Sequence, residues 1–353
     1  MLVETTLRGA AGGWSDLSEA AQRAESLGFD GLVFGEIRTD PLLEATLALA
    51  ATRRIQVATN VLIAFPRSPM VVAYATRNLQ DLSSGRFTLG LGSQVRGHIT
   101  RRFNAAWDSP GPRLRDYVQA LRAIWACWQD GTRLNYEGRF YQFTLMTPEF
   151  NLGPSPYPTR VNVAAINTYN VATAARLCDG LTLHSLLTPA YLRDVIWPAV
   201  EDAAASAGRS LETFEMVGNP FLVWGGSEAE VAAGRELARR RVAFYSSTRA
   251  YAPVLEHHGF GDLGVELRKL IAEDRWDDLS KLVTDDVLDV FCIAGVYEDI
   301  ADRVQAQLGG AVDRLHISLP RMANAGDQKR MERALDALHA LPTARERRAA
   351  RIS

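Results

Sequence analysis

The sequence predicts a single (β/α)8 TIM barrel, a closed ring of eight parallel strands with helices between them and insertions after strands four and seven. Two observations carry that expectation. Eight short apolar runs alternate along the chain with longer segments of helical period. Each run is continuous rather than alternating, as expected of strands covered on both faces. Repeated βα units require a parallel sheet, and closing it leaves no exposed edge. An open doubly wound sheet shares this periodicity and stands as the alternative. With 353 residues, 47% of them hydrophobic, the chain can bury one large core. We expect one domain over residues 1–345 and a basic C-terminal tail at 346–353.

Residues 2–7 read as the first strand. A helix opens near Ser15 or Asp16, with Asp16 and Glu19 spaced as a cap pair. Its apolar stripe is Leu17, Ala20, Ala24 and Leu27, and Gly28 stops it. Residues 31–36 form the second strand, and an Ala/Leu-rich helix follows over 40–51. The third strand is 55–63, its helix runs over about 69–82, and 86–91 is the fourth. Strands five to eight are 160–166, 181–186, 214–223 and 313–319, with helices such as 170–178, 189–207 and 298–308 between them. Two connections are too long for plain βα units. The first, 92–159, holds a Pro/Gly-rich piece at 148–158; the second, 225–312, reads as helical, notably over 237–245 and 263–272. Long excursions usually lie over the C-terminal mouth, where they form a lid or an interface.

A formal net charge of −2 gives no general attraction to nucleic acid or to anionic membranes. Cys127, Cys178 and Cys292 are odd in number, widely spaced and set in apolar surroundings. They offer neither a CxxC pair nor a disulfide framework, which suits a reducing cytoplasm. Residues 1–15 contain no apolar signal region, and no stretch reaches membrane-spanning length. His257-His258 and the other histidines show no metal-ligand spacing, so no metal site is expected. These readings leave a cytoplasmic barrel acting on a small molecule, with no nucleic-acid or membrane partner.

Barrel active sites lie at the C-terminal ends of strands. Here those ends are Gly35-Glu36-Ile37-Arg38, Thr59-Asn60-Val61-Leu62, Gly90-Leu91-Gly92-Ser93-Gln94, Ala165-Ile166-Asn167-Thr168 and His184-Ser185. The clearest local signature runs from Leu82 through Ser84-Gly85-Arg86 to Leu89-Gly90-Leu91-Gly92. A helix ends at Gly85, a strand follows, and the alternating glycines let the backbone approach a planar ligand closely. Relief of crowding inside the barrel accounts for the same two glycines equally well. No third glycine follows, so this is not a dinucleotide fingerprint.

Taken with its surroundings the run is more specific. Ala58-Thr59-Asn60-Val61-Leu62, the helix start Arg67-Ser68-Pro69, and Ser84-Gly85-Arg86 leading into Leu89-Gly90-Leu91-Gly92 together resemble the bacterial luciferase-like monooxygenase family. Gly28-Phe29-Asp30-Gly31-Leu32 and Cys178-Asp179-Gly180-Leu181 also match, so the resemblance spans nearly the whole chain. The chain is most similar to the branch that uses coenzyme F420, a deazaflavin that transfers hydride; FMN is the alternative cofactor. The resemblance implies a non-prolyl cis peptide supporting the cofactor ring, and the matching bond is Asn60–Val61. It further implies cofactor contacts at Thr59, Asn60, Val61, Gly92, Ser93, Gln94, Asn167, Thr168 and His184, and a homo-oligomer, expected as a dimer. Family members often carry glycines after strand five, where this chain has Ile166-Asn167-Thr168. Asn167 and Thr168 can still donate hydrogen bonds, and a helix beginning there presents its positive end to a phosphate.

Two catalytic positions depart from the branch's sugar-phosphate dehydrogenases. Their Asp-His pair ending strand two is matched here by Glu36-Ile37, and their glutamate after the strand-four glycines by Val95, so that substrate is not assigned. The candidate proton-transfer residues are Glu36 and His98. A glutamate in apolar company at a barrel mouth has its pKa raised by desolvation, and a histidine titrates near neutrality. Glu36 reads equally as an ion-pair partner of Arg38 or Arg67, and His98 as a plain loop histidine. Arg38, Arg67, Arg96, Arg101 and Arg102 follow strands two to four and form a cationic rim suited to the phosphate and oligoglutamate tail of F420. Trp107, Tyr141, Phe143 and Phe150 in the first long connection suit a pocket lining or a packed lid.

Overall fold

The computed structural model describes residues 1–7, 14–319 and 325–352. Eight parallel strands form the ring: β1 (Leu2–Thr6), β2 (Gly31–Phe34), β3 (Gln56–Thr59), β4 (Phe87–Gly92), β5 (Val161–Ala165), β6 (Gly180–Leu183), β7 (Glu215–Gly218) and β8 (Arg314–Ser318). Neighbours in sequence are neighbours in space, and β1 pairs with β8 in the register Glu4↔His316, which closes the barrel. The alternative of an open sheet is thereby excluded.

The outward faces of the strands are apolar because helices cover them. Val3, Val57, Leu89, Val163, Leu181 and Leu315 have no exposed surface. The lumen is different. Barrels are usually filled by bulky branched side chains, whereas the lower lumen here holds Glu4, Gln56, Asn162, Glu215 and Arg314 around a cavity of about 20 Å³. Arg314 Nε lies 3.1 Å from Glu215, and Arg160 reaches the same carboxylate at 2.9 Å. Burial pushes the Glu4 carboxyl up to about 7; Arg314, 3.8 Å away, draws it down, while Glu215 and Asp30 add to the rise.

Two strands break where the sequence shows one run. The third pauses after Thr59 and resumes at Leu62–Ile63, which pairs with Leu91 and Gly92 of β4. The seventh stops at Gly218, because Pro220 has no amide hydrogen to continue the ladder. Phe221–Gly225 then leaves the ring and pairs in parallel with Cys292–Val296. That second strand lies in a stretch whose periodicity reads as helical, since five residues follow directly on the helix Asp285–Phe291. The two long connections sit where expected. The first contains the helix Pro110–Asp130 and a hairpin of Tyr136–Glu137 with Gln142–Phe143; the second contains the helices Glu228–Ser246 and Gly261–Ala272.

At the C-terminus, Ala344–Ile352 is a helix laid against the barrel floor. Arg348 donates to the Phe214 carbonyl at 3.0 Å and sits 5.0 Å over the Trp197 ring. No helix among the described residues is long and apolar enough to cross a membrane.

Candidate active site

The mouth is organised by the break in the third strand. The Asn60–Val61 peptide is cis. Thr59 ties this end to β4 twice: its hydroxyl donates to the Gly90 carbonyl and accepts from the Gly90 amide, both at 2.8 Å. A Cβ on Gly90 would stand 1.9 Å from the Thr59 carbonyl oxygen, and one on Gly92 would stand 2.5 Å from Val61 Cγ2. Relief of crowding is therefore what Gly90 supplies. Gly92 likewise makes room for Val61, whose side chain packs against it.

Glu36 lies just beyond β2, with its side chain 8% exposed. Its carboxylate accepts from the Ile63 amide at 2.8 Å and from Arg67 Nη1 at 2.8 Å, and Arg67 Nη2 reaches Asp40 at 2.9 Å. Burial works against the charge on Arg67, but Glu36 first and then Asp40 hold its pKa above the ordinary arginine value. The pairing is with Arg67 and not with Arg38. Arg67 sits where it does because Ser68 caps the next helix, accepting from the Met70 amide, with Pro69 in its first turn.

The segment after β4 carries Ser93, Gln94 and His98. Gln94 has φ +57°, a left-handed conformation closed by its own side chain, which accepts from the Val95 amide at 3.0 Å. Ser93 donates to the Gln94 carbonyl at 3.3 Å. His98 is exposed at the start of a wide helical turn, His98–Arg102. Arg102 of that turn donates to the Ile37 carbonyl at 2.9 Å, linking the ends of β4 and β2.

Asn167 and Thr168 are exposed at the head of the helix Thr168–Leu177. Asn167 caps it, accepting from the Asn170 amide at 2.9 Å, while the buried Asn170 Oδ1 has no hydrogen-bond partner. A Cβ on Gly111 would meet the Tyr169 ring at 2.7 Å, so the heads of the helices Pro110–Asp130 and Thr168–Leu177 converge. Arg113 belongs to this corner and was not among the arginines singled out from the sequence. It stacks 5.1 Å over Phe65 and donates to the Tyr141 hydroxyl at 3.0 Å and to the Ala106 carbonyl at 2.7 Å. Its Pro-Gly-Pro lead is a helix-start signal, and only the fold brings that start beside the head of the helix after β5.

The predicted aromatics divide. Tyr141 meets Tyr117 edge-on at 5.3 Å and Trp107 meets Phe65 at 5.9 Å, whereas Phe150 is 65% exposed. His184, just past β6, is stacked 4.3 Å from Tyr251 and edge-on to Tyr245, both from the second excursion. Its Nδ1 accepts from the Leu186 amide at 3.1 Å. Burial, with a smaller push from Arg241, lowers its pKa to about 4, so the ring is neutral at physiological pH. Among the described residues no group of three His, Cys, Asp or Glu is arranged to hold a metal.

Comparisons with known proteins agree with this architecture. An uncharacterized protein of Mycobacterium tuberculosis is 40% identical over 299 residues, covering 84% of this chain and 88% of the relative. The 5,10-methylenetetrahydromethanopterin reductase of Archaeoglobus fulgidus is 25% identical over 296 residues, covering 82% and 85%. The structure of the coenzyme F420 dependent tetrahydromethanopterin reductase from Methanopyrus kandleri superposes with a TM-score of 0.73 at 17% identity, over 97% of both chains, and supports the fold. The family model described as luciferase-like monooxygenase matches residues 2–314. This chain, with its closed barrel, broken third strand and two mouth excursions, belongs to the luciferase-like monooxygenase family of oxidoreductases.

Proposed function

We propose that this protein is an F420-dependent oxidoreductase that exchanges a hydride between the deazaflavin and a small organic molecule. The observation that carries the reading is the Asn60–Val61 bulge, which breaks the third strand at the C-terminal end of the barrel. Gly35, Gly90 and Gly92 pack close around it, since a Cβ on any of them would meet it or its neighbour Thr59. A flat ring lying against this bulge suits either a deazaflavin or a flavin. Thr59, Asn60 and Val61 would hold one face of the ring, with Gly92, Ser93 and Gln94 along its edge. Asn167 and Thr168, at the positive end of their helix, would take the phosphate, with Arg113 nearby and His184 closing the side.

When bound, the deazaflavin supplies or accepts a hydride at C5; the chain's own residues position it, exclude water and handle the proton. The two proton-transfer groups expected from the sequence are Glu36 and His98, and substitution of each tests its part. The cationic rim favours F420 over FMN. Arg38, Arg96, Arg101 and Arg102 make no ion pair among the described residues, which leaves them to meet an oligoglutamate tail.

Titration of the purified protein with F420 and with FMN, followed by fluorescence quenching or calorimetry, tests the reading. F420 is expected to bind more tightly, and increasingly so at low salt. A tenfold preference for FMN would move the assignment to a flavin-dependent monooxygenase. Tight binding without oxidation or reduction by any substrate would make the protein a flavin-binding barrel without turnover. In this reading the enzyme works in the cytoplasm as a homodimer, which sedimentation at micromolar concentration checks.

A further inference from the structure

We propose that the corner of the mouth at the ends of β6 and β7 is the substrate's own subsite, and that it takes a planar carboxylate held by Arg241. The inference rests on the hydride-transfer reading above and names the substrate class of that same site.

The corner is built jointly by the barrel and the second excursion. β7 lies four strands from β3 in either direction round the ring, so its end stands on the wall opposite the Asn60–Val61 bulge. Phe221 comes just past that end. The helix Glu228–Ser246 packs against this segment and sets Arg241 and Tyr245 one turn apart on the same face. The Arg241 guanidinium carbon is 5.1 Å over the Phe221 ring, and the Tyr245 ring is 6.1 Å from it. Tyr245 also meets His184 edge-on at 4.6 Å, while Tyr251 stacks on His184 at 4.3 Å with the rings 22° apart. The charge of Arg241 reaches His184 and adds to the burial that lowers its pKa, which ties this cation to the mouth rather than to the outer surface.

What the corner offers is donors without acceptors. Arg235 and Arg239 on the same helix are paired with Asp289 and Asp285. Arg241 is exposed and has neither an ion pair nor a hydrogen bond among the described residues. The hydroxyls of Tyr245 and Tyr251 have no hydrogen-bond partner there either, and both side chains keep some exposed surface. His184 is neutral and its Nδ1 accepts from the Leu186 amide, so its proton sits on Nε2, a further donor. An anion is what such a set lacks. A guanidinium fork meets a carboxylate in two parallel hydrogen bonds, and the aromatic rings beside it accept a flat, conjugated body. A tetrahedral phosphate would use the charge and leave the stacking surface idle.

Benzoate, benzamide and inorganic phosphate, added to protein carrying nitrogen-labelled histidine with and without F420, test this by NMR. The chain has six histidines, and single substitutions assign them. Benzoate should move the His184 ring signals saturably and bind at least about tenfold more tightly than benzamide, which has the same shape and no charge. Arg241→Gln should lose that factor and Arg241→Lys part of it, while both bind F420 within a few-fold of wild type. No response to benzoate, equal binding of benzamide, or wild-type benzoate affinity in Arg241→Gln would overturn the subsite. Phosphate bound in preference to benzoate would overturn the planar carboxylate. Displacement of F420 by benzoate would give the corner to the cofactor. In each of these results the cofactor reading stands. Failure of F420 to bind, with Arg241-dependent benzoate binding intact, would overturn that reading and leave the subsite.

Discussion

Arg67 and Glu36, 31 residues apart, lock the end of β2 to the start of the helix that follows the broken third strand. The contact is 2.8 Å, and the same carboxylate holds the Ile63 amide where that strand resumes. Two donors from one side of the bulge thus converge on a carboxylate from the other, and the bulge is braced between them.

Glu36→Gln keeps the shape of this brace and removes its charge. The expected outcome is a loss of about 1–3 kcal/mol in stability, with F420 affinity and turnover within a few-fold of wild type. Chemical denaturation and steady-state rates check it together. A turnover loss of 10²–10⁴-fold with unchanged stability would assign proton transfer to Glu36 itself. A loss of that size in His98→Ala would assign it to the turn after β4.

The two mouth glycines should respond differently to alanine. Gly90→Ala drives a methyl to 1.9 Å from the Thr59 carbonyl oxygen, a backbone atom with nowhere to go. A cost of at least about 1–3 kcal/mol is expected, seen as a lowered Tm or as failure to fold. Gly92→Ala meets the Val61 side chain at 2.5 Å and should fold, with Val61 displaced toward the mouth. Its F420 affinity should fall; wild-type affinity would show that the wall at Gly92 does not touch the ring.

Stability should depend on pH through two groups of opposite sign. Glu4 is raised from 4.5 to about 7 in the folded chain, so the folded state binds more protons over that window and stability falls as pH rises through it. His184 is lowered from 6.5 to about 4, so the unfolded state binds more protons and stability falls as pH drops through that window. Each full titration difference is worth about 1.4 kcal/mol per pH unit. Relative to wild type, denaturation midpoints between pH 4.5 and 6.5 should therefore slope more upward with pH in Glu4→Gln and more downward in His184→Phe. Parallel profiles for both variants and wild type would refute the assignment of either group.

Asp116 anchors the hairpin of the first excursion. Its buried carboxylate accepts from the Tyr136 hydroxyl and from the Phe140 and Tyr141 amides. Asp116→Ala should cost about 1–3 kcal/mol and open the hairpin to limited proteolysis near Gly138. Gly138→Ala should do the same from the other side, because its methyl would occupy the carboxylate's place, 2.0 Å from Oδ1. Protease resistance in both variants would mean that other contacts hold the hairpin.

Much of the scaffold was written locally. The eight strands, the cap and proline that start the helix after the third strand, and the glycines of β4 follow from periodicity and turn chemistry within a few neighbouring residues. The family resemblance rested on those same segments and located the Asn60–Val61 bond correctly. Closure was beyond periodicity, because a strand covered on both faces reads alike in an open sheet and a closed one. So was the strand Cys292–Val296, whose five residues take their identity only from a partner at 221–225.

The mouth was legible as a place, from strand ends that any barrel turns toward its ligand, but not as a set of contacts. That Glu36 faces Arg67 rather than Arg38, that Arg113 joins the head of the helix after β5, and that His184 lies under Tyr251 depend on chain closure over tens of residues. The polar lumen shows this most clearly. Glu4 and Arg314 lie at opposite ends of the chain, and each alone is a charge within an apolar run; only the closed ring puts them 3.8 Å apart. The sequence by itself determined which segments become strands and helices, because local backbone preference and burial period decide that. The tertiary structure decided which charges are neutralised and which side chains face the site, because Coulomb attraction and desolvation act through space and not along the chain.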